Sequence, residues 1–366
     1  MTDQALASDV AIVGGGPGGS ATAISLLTYA PTLSVTVIET SHFATPRIGE
    51  SLPPAAHSLL EHLNTWDSFK ALGPRESFGT TAVWGQSLPL DNEFIFMPAA
   101  TGWQLDRAAF DSMLISEARK RGANVMLGTS LRSAQETAAG WRLSLSTGSQ
   151  LSAKFVVDAT GGSASFARRA GARFLAFDRL VGISRSFACS AGDSRLLVES
   201  FADGWWYTAG LPDGKRITCC VTDADLAQQL KLNDAGVWYE KLGQTRIVAT
   251  VTSVEKPHDQ VAIRSTNSRL LSPIVGKGWL AVGDAASRFD PLSSQGIVKA
   301  LRSGIFASYA IGDWLLRKDD TGLRRYQHCV KREFSSYRQT QAKYYRQEQR
   351  WPTNEFWRRR HTEADV

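Results

Sequence analysis

The stretch from Val10 to Ile38 carries no charged residue, and Gly14-Gly15-Gly16-Pro17-Gly18-Gly19 lies inside it. A membrane helix does not run through so many helix-breaking positions. A secretory leader wants a positive start, whereas residues 1–9 hold Asp3 and Asp9 and neither Lys nor Arg. The run reads instead as strand, glycine turn, helix and strand. Asp9–Val13 is buried and extended, Gly18 to Ala30 has helical spacing, and Ser34–Glu39 alternates. Gly14, Gly16 and Gly19 fit G-x-G-x-x-G. The first glycine permits a tight turn, the second admits a pyrophosphate to the backbone, and the third lets the helix pack closely on the strand. Glu39 ends the second strand, 20 residues after Gly19, where an acid accepts from ribose hydroxyls and repels a 2′-phosphate.

A chain of 366 residues with 43% hydrophobic and 21% charged content buries a substantial core, which excludes disorder over most of its length. Its length suits two domains or one interwoven unit. The net charge of +6 is local: from Thr321 to Val366 there are 11 Lys/Arg against 5 Asp/Glu, and the rest balances at 30 to 30. A nucleic-acid footprint over the body is therefore not expected. Cys189, Cys219, Cys220 and Cys329 show no zinc spacing and no disulfide framework, so reduced thiols and a cytoplasmic location are expected. No metal site is expected either.

Further along, Leu105 to Arg121 reads as a helix, and Phe155–Val157 as a strand running into Asp158-Ala159-Thr160-Gly161-Gly162. Residues 78–98 read as short strands that include Phe94-Ile95-Phe96. Leu180 to Ile263 repeats strand signals, interrupted by one helix over Asp223–Leu242. Trp279–Val282 is a strand ending at Gly283-Asp284, followed by Asp290-Pro291-Leu292-Ser293-Ser294-Gln295-Gly296 and a helix from about Ser294 to Leu316. The fold class expected is α/β with two domains: a Rossmann-like nucleotide-binding domain, an inserted, mostly antiparallel sheet domain for substrate, and a helical C-terminus. The expected boundaries are 1–75, 99–178 and 265–320 for the first, 76–98 and 179–264 for the second, and 321–366 for the basic helical end.

Taken together, Gly14–Gly19, Arg107 after Leu105-Asp106, Asp158-Ala159-Thr160-Gly161 and the Asp284…Gly296 unit resemble the flavin-dependent monooxygenase superfamily with the para-hydroxybenzoate-hydroxylase fold. The likeness covers nearly the whole chain. It implies FAD as cofactor, with NAD(P)H or an external flavin reductase as electron source. In that family Asp284 would accept from the ribityl chain, and Arg107 would lie near the pyrophosphate or ribityl. Pro291 would line the ring, and the amides from Gln295 to Ile297 would face its N1 and O2. Asp158 either meets the cofactor or caps the turn at Gly161-Gly162.

Pro46-Arg47-Ile48-Gly49-Glu50-Ser51-Leu52-Pro53-Pro54 resembles the loop beside the flavin in halogenases and related hydroxylases, placing Arg47 near the cofactor. Glu50 is either a structural acid or a proton-handling group. Halogenases carry a lysine about thirty residues after that Gly-Glu; Glu76-Ser77-Phe78-Gly79-Thr80-Thr81 holds none, and Lys70 falls too early. The resemblance thus implies oxygen insertion, through a flavin C4a-hydroperoxide formed with O₂, rather than halogenation. Trp205 and Tyr207 share one strand face opposite Trp206 and are either core or an aromatic wall for substrate. The end Arg350-Trp351-Pro352…Phe356-Trp357-Arg358-Arg359-Arg360 is either a packed helix face or a basic docking surface. That end and the Arg47–Pro54 loop resemble flavoproteins that mature quinone-cofactor amino-acid oxidases. This implies a tryptophan side chain of a precursor oxidase as substrate. The alternatives are a small aromatic, halogenation, or a maturation chaperone without chemistry.

Overall fold

The computed structural model describes residues 6–45, 47–97, 101–188, 194–252 and 261–362; Pro46 and Cys189 lie outside them. Leu6–Val13 pairs in parallel with Val35–Ile38 on one side and Gln150–Asp158 on the other. Asn124–Met126 and Trp279–Ala281 extend this parallel core outward. Helices cover both faces, so the C-terminal parts of these strands are buried on both sides: all of Val35–Ile38, Val10 to Val13 and Phe155 to Asp158. A hairpin of Leu131–Thr137 and Gly140–Leu145, with Val275–Gly276 at the far edge, completes eight strands.

The expected uncharged helix forms over Pro17–Tyr29, with proline in its first turn. It lies against the long helix Gly296–Arg317 almost backbone to backbone. A Cβ on Gly304 would stand 2.5 Å from the Gly18 carbonyl oxygen and 2.9 Å from the Thr22 nitrogen. The two helix starts therefore open towards the same space.

The second layer is a seven-stranded sheet in the order Ala262–Ser265, Leu180–Ala188, Lys215–Asp223, Gly204–Gly210, Leu196–Phe201, Gly79–Val83 and Leu90–Glu93. Its neighbours are antiparallel except for the parallel pair Leu196–Phe201 and Gly79–Val83. Its faces carry separate cores. Trp205, Cys219 and Val221 pack on one side, and Trp206, Cys220 and Trp238 on the other. Cys219, Cys220 and Cys329 are free thiols.

Two local expectations are corrected. The helix over Asp223–Leu242 is two helices, Ala224–Gln229 and Ala235–Gly243. The chain breaks between them because Lys231 is left-handed (φ 54°) and Asp234 caps the second helix through the Val237 amide. Phe94–Phe96 is a 3₁₀ turn, not a strand, with Ile95 and Phe96 72% and 88% exposed.

The C-terminal end forms helices Thr321–Gln347 and Glu355–Thr362. Phe356 and Trp357 are fully buried, and the Trp357 indole donates to the Phe201 carbonyl at 2.9 Å. Arg360 meets Asp223 at 2.7 Å with both side chains buried. Arg359 bridges Asp223 and Asp225 at 2.9 and 2.7 Å, and Arg358 pairs with Glu355. The reading of these arginines as a free docking surface is therefore corrected, because acids 134 to 137 residues away in sequence neutralise Arg359 and Arg360. Among the described residues no helix is long and apolar enough to cross a membrane.

Removing one partner of a buried ion pair strands the other, so Arg360→Ala should cost about 3 kcal/mol in denaturant unfolding. Arg358→Ala, at an exposed pair, should cost under about 1 kcal/mol. Asp225 is held down to about 2, chiefly by its hydrogen bond from Arg359, which outweighs burial. A depressed acid stabilises the fold above its unfolded value of about 3.9, and the gain is lost as pH falls through the folded value. The tail should therefore loosen between about pH 4 and pH 2, read by tryptophan fluorescence.

Candidate active site

A cleft of about 1500 Å³ separates the C-terminal edge of the parallel strands from the seven-stranded sheet. Its floor is set by the glycine turn. Gly14 is left-handed in φ (110°), and a Cβ there would lie 2.2 Å from the Ala159 carbonyl oxygen. A Cβ on Gly19 would stand 1.9 Å from the Gly14 oxygen, whereas one on Gly16 meets nothing within 4 Å. Gly16 faces the cleft at the start of Pro17–Tyr29, so the open space beside it receives the positive end of that helix. A pyrophosphate fits such a cradle.

Glu39 accepts from the Gly15 amide at 2.6 Å and the Ser41 amide at 2.8 Å, and lines the same space. Arg47 reaches across it, 3.4 Å from Glu39 and 2.8 Å from the fully buried Asp111, with its guanidinium over the Phe43 ring. Arg107, at the start of helix Arg107–Lys120, also bonds Asp111. Its Nη1 donates to the Ile48 and Gly49 carbonyls at 2.9 Å each. Asp111 thus clamps the Arg47–Glu50 loop through two arginines. Nothing in the sequence reading singled it out, although its i,i+4 spacing from Arg107 was a usable signal.

Beyond the clamp, Glu50 is 4% exposed. Burial pushes its carboxyl up, against the opposing amides of Glu50 and Gly49 and the charge of Arg107. The charge of Glu50 is felt by Tyr207 and by Cys219, which face each other across paired strands. Burial raises both, the thiol to about 12. Trp205 lies beside Tyr207, ring centroids 6.0 Å apart, and its indole N–H donates to the Tyr345 hydroxyl at 3.0 Å. The structure thus brings Glu50, Trp205 and Tyr207 to one wall of the cleft and adds Cys219, expected from the sequence only to be a reduced thiol.

The opposite wall is the second motif. Asp284 follows strand Trp279–Ala281 and is 2.9 Å from the Lys299 ammonium, itself 1% exposed. Burial opposes ionisation of Asp284, but Lys299, Arg288 and Arg269 outweigh it and hold the carboxyl below its ordinary value. Lys299 was missed because a lysine in an amphipathic helix reads as solvent-facing. Pro291 opens a 3₁₀ turn on the cleft, and Gly296 starts the long helix with open space at its α-carbon. Asp158 turns away. It is fully buried and accepts from the Thr160 amide and hydroxyl and the Ala167 amide, at 2.9, 2.6 and 2.7 Å. It shapes the loop whose Ala159, Thr160 and Gly161 line the cleft.

Among the described residues, the lysines at the cleft are engaged. Lys215 at its rim pairs with Asp213 at 2.9 Å, and Lys299 is bound to Asp284. Lys70 lies on the short helix Trp66–Lys70, exposed and paired with Asp67. Among the described residues no cluster of three His, Cys, Asp or Glu side chains is placed to hold a metal ion.

Two helix starts, a glycine cradle and a strand-tip acid facing an aromatic sheet define a nucleotide-binding redox protein of two layers. The chain belongs to the FAD binding domain family, which it matches over residues 7–332, and it is an FAD-dependent oxidoreductase. It is 31% identical to the putative FAD-dependent oxidoreductase LodB of Marinomonas mediterranea over 364 residues, covering 96% of each chain. A 1H-pyrrole-2-carbonyl-[peptidyl-carrier protein] brominase of Pseudoalteromonas luteoviolacea is 26% identical, over 83% of this chain and 77% of its own. Among solved structures the myxobacterial chondrochloren halogenase CndH superposes with a TM-score of 0.89 at 24% identity, over 97% of this chain and 86% of its own, a likeness of fold. QhpG, a peptidyl tryptophan dihydroxylase essential for tryptophylquinone cofactor biogenesis, superposes at 0.72 with 27% identity, over 96% of this chain and 78% of its own.

Gly16→Val should leave the melting temperature of the FAD-free protein unchanged and weaken FAD binding by at least about a hundredfold. Gly19→Val should instead prevent folding, because its Cβ has no space even without cofactor.

Proposed function

We propose that this protein is a monooxygenase that hydroxylates an electron-rich aromatic ring, the indole of a tryptophan borne by a partner polypeptide such as a precursor amino-acid oxidase. The observation that carries the reaction type is the wall of Glu50, Trp205, Tyr207 and Cys219 opposite the Pro291–Gly296 turn, with the lysines near it committed to carboxylates. Gly14, Gly16 and Gly19 would seat the pyrophosphate and Glu39 the ribose. Arg47 and Arg107 would hold the loop over the cofactor, with Asp284, Pro291 and Gly296 at the ribityl and ring. Bound FAD, reduced by NAD(P)H or a separate reductase, supplies activation of O₂, one oxygen atom going to the ring and the other to water.

The residues of this chain do the rest. Tyr207, backed by the buried Trp205, offers a ring face to an aromatic ring, with stacking adding about 0.5–1.5 kcal/mol per pair beyond burial. The sheet and the Glu50 loop enclose that ring and exclude water. Glu50 takes the proton that leaves the ring carbon when the C–O bond forms; its raised proton affinity suits a base in a buried site. The polypeptide substrate is supported by the likeness to QhpG and by space. A second cavity of about 1260 Å³ shares the Phe289–Gln295 turn as a wall, leaving room for backbone as well as ring.

The test is oxygen-18 incorporation from O₂ into a tryptophan-containing partner peptide, with reductant supplied by NADH, NADPH or a flavin reductase. The expected product carries one labelled oxygen per hydroxylation and forms without halide. A halide-dependent mass gain would replace this reading with halogenation, and efficient turnover of free tryptophan or a phenol would remove the polypeptide. Glu50→Gln should lower turnover about a hundredfold while leaving FAD affinity unchanged.

A further inference from the structure

Asp290 stands one residue before the proline that faces the ring site, and it is 1% exposed. Three donors converge on its carboxylate. Oδ1 accepts from the Leu292 amide at 2.9 Å, and Oδ2 accepts from the Tyr345 hydroxyl at 2.7 Å and the Gln341 amide at 2.9 Å. Its own N–H donates to the Tyr337 hydroxyl at 2.8 Å, and the Tyr337 ring stacks on Phe289 with centroids 4.1 Å apart. Three turns of helix Thr321–Gln347 therefore grip one loop residue.

The direction of each bond is set. An indole N–H only donates, so Tyr345 must accept from Trp205 and has its own proton left for Asp290. Arg338 donates to the Gln341 side-chain oxygen, which turns the Gln341 nitrogen towards Asp290. Both carboxylate oxygens are thus needed as acceptors. The chain Trp205 → Tyr345 → Asp290 links the aromatic wall on one side of the cleft to the Pro291–Gly296 turn on the other, through a helix that lines neither motif in the sequence.

We propose that Asp290 is a positioning residue: as an obligate acceptor at the end of the Trp205–Tyr345 chain, it fixes the cofactor-facing turn and the Trp205 ring in one register. The inference rests on the flavin lying against that turn, not on hydroxylation. Asp290→Asn replaces one acceptor oxygen with an NH₂ group that faces two donors. Tyr345→Phe removes the link and leaves the Trp205 N–H without its partner. Both changes act on the cleft from behind, with no loss of a side chain that the cofactor itself would touch in the glycine cradle.

The full-length protein and its Asp290→Asn, Tyr345→Phe and Tyr344→Phe variants are titrated with FAD, and circular dichroism is recorded in the visible bands of the bound flavin. Tyr344 is the control, since its ring is half exposed on the same helix. The expected result is about tenfold weaker FAD binding and an altered flavin dichroism in both Asp290→Asn and Tyr345→Phe, with Tyr344→Phe as wild type. Wild-type affinity and dichroism in Tyr345→Phe would overturn the proposal, whether or not Asp290→Asn folds. A lowered melting temperature of the FAD-free variants with unchanged flavin signals would overturn it too, leaving only a structural tie. Neither readout uses a substrate, so a failed oxygen-18 experiment leaves this result standing, and the reverse.

Discussion

Backbone touching backbone at glycine is the contact on which the molecule depends. At Gly19 against Gly14 it lets helix Pro17–Tyr29 leave the first strand at once, and at Gly304 against Gly18 it brings helix Gly296–Arg317 down on the same helix. With side chains at those crossings the helices would stand further apart, since packed helix axes usually lie 8–10 Å from each other. Their close approach aims two positive helix starts into one cleft. An anionic, extended cofactor bound there would meet favourable potential at both helix starts, with the lysines that line the cleft among the described residues paired to carboxylates.

That economy of cations explains the acids around the cleft. Several of the cations there are matched to carboxylates: Arg47 and Arg107 to Asp111, Lys299 to Asp284, Lys215 to Asp213. Paired cations hold loops in place. They contribute less net charge than their number implies, and a buried pair left without one partner is costly. Glu50, Asp158 and Asp290 differ: they are buried acids with no bonded cation, Glu50 held by amides and the other two by amides and hydroxyls. Burial pushes these carboxyls up against the donors that hold them.

Local signals made the parallel core legible: apolar strands, glycine spacing and an acid at a strand tip lie within about thirty residues of one another. The alternation at Trp205-Trp206-Tyr207 likewise separated two cores correctly, because side-chain direction in a strand follows from position alone. Pairings across the chain were not legible. The arginines at 358–360 could be read either as a packed face or as a docking surface because Asp223 and Asp225 lie more than 130 residues earlier, and Lys299 drew no notice because its carboxylate comes from a loop fifteen residues back. The break at Lys231 was missed because a lysine carries no signal for a left-handed conformation.

The C-terminal helices change meaning once these pairings are known. Their basic composition suggested an appendage that recruits something else, yet Phe356 and Trp357 fill the core beneath Trp205 while Tyr345 and Gln341 hold Asp290. A segment that both completes a core and orients the cofactor-facing turn cannot exchange freely with a partner without disturbing the site. If the substrate is a polypeptide, as proposed, it has to be recognised by surfaces the tail leaves open. Around the second cavity the Leu90–Glu93 edge strand and Phe306 present exposed apolar side chains beside the space that reaches the Phe289–Gln295 turn.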